Sequence, residues 1–200
     1  MITVVYAHPN PKSLNHEIKE RVCAILTEQK KRFFVVDLYK EKFNPAMSLN
    51  ELIPPKDEKK HKDPLVEKYQ NQVMQSDKLI FIYPTWWSAM PAILKGYFDK
   101  VYSARFAFKY VKVPFLNFGR PVGLLKGKKA LVITTIGAPV LLEKLILGNR
   151  TIKIICNDIL KFCAIKPYYI QIEKAVPGNE KAIEKQLTKL EYKVTRFLKK

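Results

Sequence analysis

Cysteine is scarce in this chain, at three in 200 residues. Cys23, Cys156 and Cys163 are an odd number, at spacings that suit neither a disulfide framework nor a zinc site. They read as reduced, largely buried thiols of a cytoplasmic protein, and none has neighbours that mark a nucleophile. Glycine is sparse too, at seven, and no G-x-G-x-x-G or glycine-rich P-loop occurs, which excludes the common nucleotide fingerprints. No apolar run reaches the length of a membrane span. The opening Met1–Pro9 has no basic region followed by a signal-type apolar segment. Acidic residues are half as many as basic ones, 18 against 36, for a net charge of +18. The excess is greatest in residues 121–200, with 16 basic and 6 acidic side chains. Such a balance suits nucleic acid or an anionic membrane. However, there is no Arg/Gly-rich tail, zinc motif or RNA-binding aromatic signature. The expectation is therefore solvated lysine faces, no specific nucleic-acid partner, and a field that attracts small anions.

What is present is enough for one domain over 1–200. Apolar residues make up 48% of the chain, too many for a disordered segment and enough for a core. Apolar, β-rich runs at Ile2–Tyr6, Phe33–Leu38, Leu79–Tyr83, Gly127–Thr135 and Tyr168–Ile172 predict five strands. Helical periodicity predicts helices over about Leu14–Lys30, Leu65–Ser76, Pro91–Ser103, Leu141–Phe162 with a break near Gly148–Asn149, and Asn179–Leu198. The last carries an inner stripe of Ala182, Ile183, Leu187, Leu190, Val194 and Phe197. Strands alternating with helices make a three-layer α/β fold with a parallel sheet. Residues 50–64, rich in proline and charge, read as an exposed excursion with His61 on the surface. Tyr110–Leu125, with its prolines and glycines, reads as an irregular linker.

Three strand ends draw attention, because ligands of open α/β sheets bind past the carboxyl ends of the strands. The first strand runs into AHPNPKSLN, where Ser13 is a good N-cap for the helix that follows. Amide hydrogens and the positive end of that helix suit an anion. The third strand, KLIFIYP, runs into Thr85, Trp86, Trp87 and Ser88, and Pro84 ends its ladder because it lacks an amide hydrogen. The fourth runs into Thr134, Thr135, Ile136 and Gly137. Taken singly, paired tryptophans suit a core, and His8 suits a loop histidine bonded to backbone.

Taken together, the motifs resemble the NAD(P)H:quinone oxidoreductase family, whose fold is flavodoxin-like. YPTWWSAMPAILKGYFDKV is similar to that family's flavin-contacting strand, loop and helix. His8, Pro9, Ser13 and Asn15 match its H-P-x-x-x-S-x-N. Asp37–Tyr39 resembles its D-L-Y, and FCAIKP resembles F-C-G-I-K-P with Ala164 for glycine. RFAF at Arg105–Phe108 resembles G-F-A-F with Arg105 for glycine. TTIG resembles T-T-G-G with Ile136 for the first glycine, and the tyrosine and histidine that many members carry beyond it are absent.

The resemblance implies a flavodoxin-like sheet of order 2-1-3-4-5 and a flavin, FMN or alternatively FAD. It implies hydride transfer from NAD(P)H to a quinone or similar small electron acceptor. His8, Ser13, Leu14 and Asn15 would then hold the phosphate end of the flavin. Pro84, Thr85, Trp86, Trp87 and Ser88 would wall the ring, with the Trp87 and Ser88 amides at N5–O4. Thr134, Thr135, Ile136 and Gly137 would form the other wall, with the Ile136 and Gly137 amides at N1–O2. No side chain is required as a catalytic acid or base. A homodimer with the partner covering the flavin is expected. The alternatives are a regulatory flavin subunit of a membrane potassium-efflux system and a one-electron carrier of flavodoxin type. The basic surface and the AHPNPKSLN loop argue against the carrier.

Overall fold

A computed structural model describes residues 1–52, 63–114 and 118–200. The chain opens with β1 (Ile2–Tyr6), α1 (Leu14–Glu28), β2 (Phe33–Asp37) and the single turn α2 (Leu49–Leu52). It continues through α3 (Pro64–Gln75), β3 (Lys78–Pro84), α4 (Ala92–Val101), β4 (Phe108–Lys112) and β5 (Gly119–Gly123). Then come β6 (Lys129–Thr135), α5 (Val140–Leu145), α6 (Arg150–Lys153) with its π-helical continuation Ile154–Lys161, β7 (Lys166–Ile172) and α7 (Glu180–Lys199). His61 and most of the proline-rich excursion lie outside the described residues.

Five strands make one parallel sheet in the order β2-β1-β3-β6-β7. This is the expected 2-1-3-4-5 arrangement of the main sheet. Strand alternation sorts the core into two layers. Val5, Leu79, Phe81, Tyr83, Ala130 and Val132 face one side, under α3, α4 and the π-helical stretch. Ile2, Val4, Tyr6, Ile80, Ile82, Leu131 and Ile133 face the other, under α1 and α7. Pro167 is accommodated because β7 is an edge strand, where a missing amide donor is tolerated.

Three expectations need correction. Tyr110–Leu125 is not an irregular linker, because β4 and β5 pair antiparallel in a separate two-stranded sheet, with Phe108 opposite Gly123 and Lys112 opposite Gly119. Pro121 does not prevent this, since a two-stranded ribbon has a free edge for it. Gly123 is required by close approach: a Cβ there would lie 2.3 Å from the Cys163 backbone. The helix over Leu141–Phe162 does break at Gly148 (φ 70°) and Asn149 (φ 53°), but beyond α6 the stretch Ile154–Lys161 winds as a π-helix rather than an α-helix. In α7, Ala182 is exposed rather than part of the inner stripe.

Candidate active site

The ends of β1, β3 and β6 are neighbours by register. Tyr6 pairs with Ile82, and Pro84 pairs with Thr135. Adjacent strands lie about 4.8 Å apart, so the three following loops share one crevice at the carboxyl edge of the sheet. Side chains join them. Asn15 Nδ2 donates to Thr135 Oγ1 at 2.9 Å. The Thr85 and Thr134 hydroxyls share a hydrogen bond of 2.8 Å, and the Thr85 amide donates to the Thr135 carbonyl at 2.8 Å. The His8 imidazole meets the Trp86 indole edge-on, with centroids 5.9 Å apart.

The first loop is built around a residue the motif leaves blank. Asn10 donates its amide to His8 Nδ1 (3.0 Å), accepts the Lys12 amide on its side chain (2.8 Å) and accepts the Ser13 amide on its carbonyl (3.2 Å). An asparagine bonded to the backbone two residues on is a local turn signal that could have revealed this role. Accepting at Nδ1 makes His8 the Nε2–H tautomer, and burial pushes the imidazole below its ordinary pKa. Ser13 caps α1 by accepting the His16 amide at 3.2 Å. The next two amides, Leu14 and Asn15, have no partner among the described residues. They are the orphan donors of a fifteen-residue helix whose dipole adds positive charge at the same point. Nearby, Tyr6 is buried; burial raises its phenol, with the Ser13 hydroxyl acting in the other direction.

The second loop is a two-residue hairpin. Trp86 and Ala89 exchange both backbone hydrogen bonds, at 2.9 and 3.0 Å. The central residues are Trp87 (φ 50°) and Ser88 (φ 56°), both left-handed. Such a turn ordinarily uses Asn-Gly, and a non-glycine residue held there costs about 1–3 kcal/mol. The Trp87 and Ser88 amides have no partner among the described residues. Trp86 is 42% exposed and Trp87 fully exposed, so neither is core.

The third loop departs from expectation. The Ile136 amide donates to the Ile172 carbonyl at 2.9 Å, and the Ile136 carbonyl accepts the Ala175 amide at 3.0 Å. The β6–β7 ladder therefore runs one residue past Thr135, and the Ile136 amide is not free to meet a flavin edge. Ile136 has no positive φ, and its side chain is 7% exposed. Gly137 is exposed, its amide has no partner among the described residues, and its φ lies outside the left-handed region. A Cβ there would make only a 3.6 Å contact with Val176. Of the residues read as a site, Asn15, Pro84, Thr134, Thr135 and Ile136 are buried, and Asn15, Thr134 and Thr135 tie the loops together. His8, Ser13, Leu14, Thr85, Trp86, Trp87, Ser88 and Gly137 reach the surface.

A family model described as flavodoxin-like fold matches residues 1–194. An uncharacterized NAD(P)H oxidoreductase of Haemophilus influenzae is 30% identical over 98% of this chain and 96% of its own. An FMN-dependent NADH:quinone oxidoreductase of Coprothermobacter proteolyticus is 36% identical over 68% of this chain and 69% of its own. Among solved structures, an NAD(P)H:quinone oxidoreductase from Methanothermobacter marburgensis superposes with TM-score 0.80 at 25% identity, over 96% of this chain and 93% of its own.

Proposed function

Because the chain belongs to the family of flavodoxin-like fold proteins, we propose that it is an FMN-dependent NAD(P)H oxidoreductase that reduces a quinone or a similar small electron acceptor. When bound, the flavin supplies the centre that accepts and returns a hydride.

The residues present fit such a group. The free amides of Leu14 and Asn15, at the positive end of α1 and next to the Ser13 cap, suit a phosphate. The left-handed turn at Trp87–Ser88 presents two more amides to one edge of the crevice, and Gly137 presents one from the other side. Amides preset in this way stabilise developing negative charge without reorganising. Trp86, edge-on against His8, and the exposed Trp87 are the apolar side chains that would cover the flavin ring. His8 holds its proton on Nε2 and bonds the loop through Nδ1, so it orients the turn and need not exchange a proton.

The observation that carries the reading is the convergence of these orphan donors from three loops on one crevice. The test is to denature the purified protein, take the absorption spectrum and mass of what is released, and follow NAD(P)H oxidation with added quinone. Released FMN with quinone-dependent turnover supports the proposal. Failure to retain or rebind any flavin overturns it.

Two further readings belong to the same proposal. The protein acts in the cytoplasm, which the three unpaired cysteines favour; no described helix is long and apolar enough to cross a membrane. It also works as a homodimer. The support is exposed apolar surface: Tyr110 (64%) and Phe118 (62%) at the β4–β5 ribbon, and Leu141 (67%), Leu145 (76%) and Ile146 (70%) on and after α5. Exposed large apolar side chains grouped in this way on the ribbon and on α5 suit an interaction face. Light scattering at the mass of one chain would remove the dimer.

A further inference from the structure

The helix α7 spans Glu180–Lys199, about 30 Å at 1.5 Å per residue. Its buried side is Leu187, Leu190, Val194, Phe197 and Leu198, packed on the β1/β3/β6/β7 layer. Its outer side is of one charge. Lys181, Lys185, Lys189 and Lys193 recur every four residues, and Arg196 and Lys199 fall among them. At 100° per residue these six occupy an arc of about 120°. All six are exposed, and none makes an ion pair or donates a side-chain hydrogen bond among the described residues.

The acids of α7 lie elsewhere. Glu184 and Glu191 both pair with Arg21 of α1, at 2.8 and 2.9 Å, on the flank where the two helices meet. Glu180 accepts the Gly178 amide at 2.9 Å at the helix start. Like charges four apart on a helix repel. Lys193 feels this directly, since burial and then the neighbouring Lys189 both push its ammonium below its ordinary pKa. The basic surface continues past the helix end, where Lys78 and Lys129 reach the last carbonyls, those of Leu198 and Lys200.

We propose that the outer face of α7 is a docking surface for an anionic lipid bilayer. The basic arc of a helix packed on a sheet presents its charges in a row along about 30 Å, a row that a flat bilayer surface can meet along its whole length, whereas a convex duplex meets it over only part. Five of the six cations are lysines, compact point charges suited to diffuse headgroups, rather than the arginine forks that read bases. Tyr192, 67% exposed, sits within the basic arc. An amphipathic ring with a polar tip is the residue type enriched at the lipid–water boundary. Each lysine near an anionic leaflet adds attraction that falls off within a Debye length.

The test is co-sedimentation of the full chain with vesicles of phosphatidylcholine alone, or with phosphatidylglycerol added, at about 0.1 M salt. Binding is expected only to the anionic vesicles. Replacing Lys181, Lys185, Lys189 and Lys193 together by glutamine should lower the partition at least about tenfold. Replacing exposed Lys40, Lys109, Lys112 and Lys126 by glutamine removes the same charge from other elements, and should lower it by less than about threefold. Equal losses in the two variants would mean that only net charge acts, and would overturn the assignment. So would the absence of vesicle binding, or tighter retention on a DNA duplex than on anionic vesicles at the same salt.

Discussion

Ala164 and Arg105 are held at φ 64° and 69°, a region that favours glycine. Both stand where the resembling motifs carry glycine, so the conformation was kept although the residue that fits it best was not. Replacing Ala164 by glycine should stabilise the protein by about 0.5–1 kcal/mol, because relief of the left-handed strain exceeds the entropy cost of glycine. A higher urea midpoint with unchanged m would show it. Ile136 is the opposite case. It occupies a third glycine position, but with an ordinary φ, a buried side chain and an amide spent on Ile172. Ile136→Ala should therefore act as a core deletion costing about 2–4 kcal/mol, and leave the reduction potential of bound flavin unchanged. A shifted potential with intact stability would return Ile136 to the flavin edge. The substitution was visible in the chain; that its amide joins a ladder was not, because the partner carbonyl is 36 residues away.

At the scale of elements, α4 is the anchor of its side of the sheet. Lys100 is buried on it, with Nζ 2.9 Å from Glu51, 3.2 Å from Asp63 and 3.1 Å from the Asn44 carbonyl, and it lies over the Phe43 ring. One cation thus ties both ends of the proline-rich excursion to the helix. Lys100→Met keeps the stem but strands two partly buried carboxylates, and should cost about 3 kcal/mol. Adding Glu51→Gln and Asp63→Asn should recover much of it, which denaturant titration of the three variants checks. Gly96, one turn earlier, cannot be replaced, since a Cβ would lie 2.4 Å from Pro45. Helical periodicity announced α4 from the chain alone. It could not announce the β4–β5 ribbon, whose prolines and glycines are ordinary loop residues until an edge and a close backbone contact make use of them.

On the whole molecule the net charge of +18 sets a condition on stability. The folded state brings cations together at the amino edge of the sheet, where burial first, then Lys129 and Lys31, push Lys78 below its ordinary pKa. Self-repulsion of this kind is relieved by salt. Raising the ionic strength from very low to near physiological should raise stability by about 1 kcal/mol, seen as a Tm increase of about 2–4 °C. A Tm that stays level or falls would mean that ion pairs such as those of Arg21 outweigh the repulsion.

The strands, their parallel sheet and the loops at its carboxyl edge were legible in the amino-acid order, and the family resemblance implied the strand order. Strand runs, helical spacing and capping residues are short-range patterns, and parallel strands joined by helices have few ways to connect. The charge of α7 was legible in amount, but only the packing of Glu184 and Glu191 against Arg21 left its outer face purely basic. Which site residues keep a donor free and which brace the loops was decided by the tertiary structure. Asn15 donates its side-chain amide to Thr135 across 120 residues and Thr134 shares a hydrogen bond with Thr85, while Leu14, Asn15, Trp87 and Gly137 keep backbone amides free. A hydrogen-bond donor is committed or free according to what the fold brings within about 3 Å, and that distance is not written in any local stretch of chain.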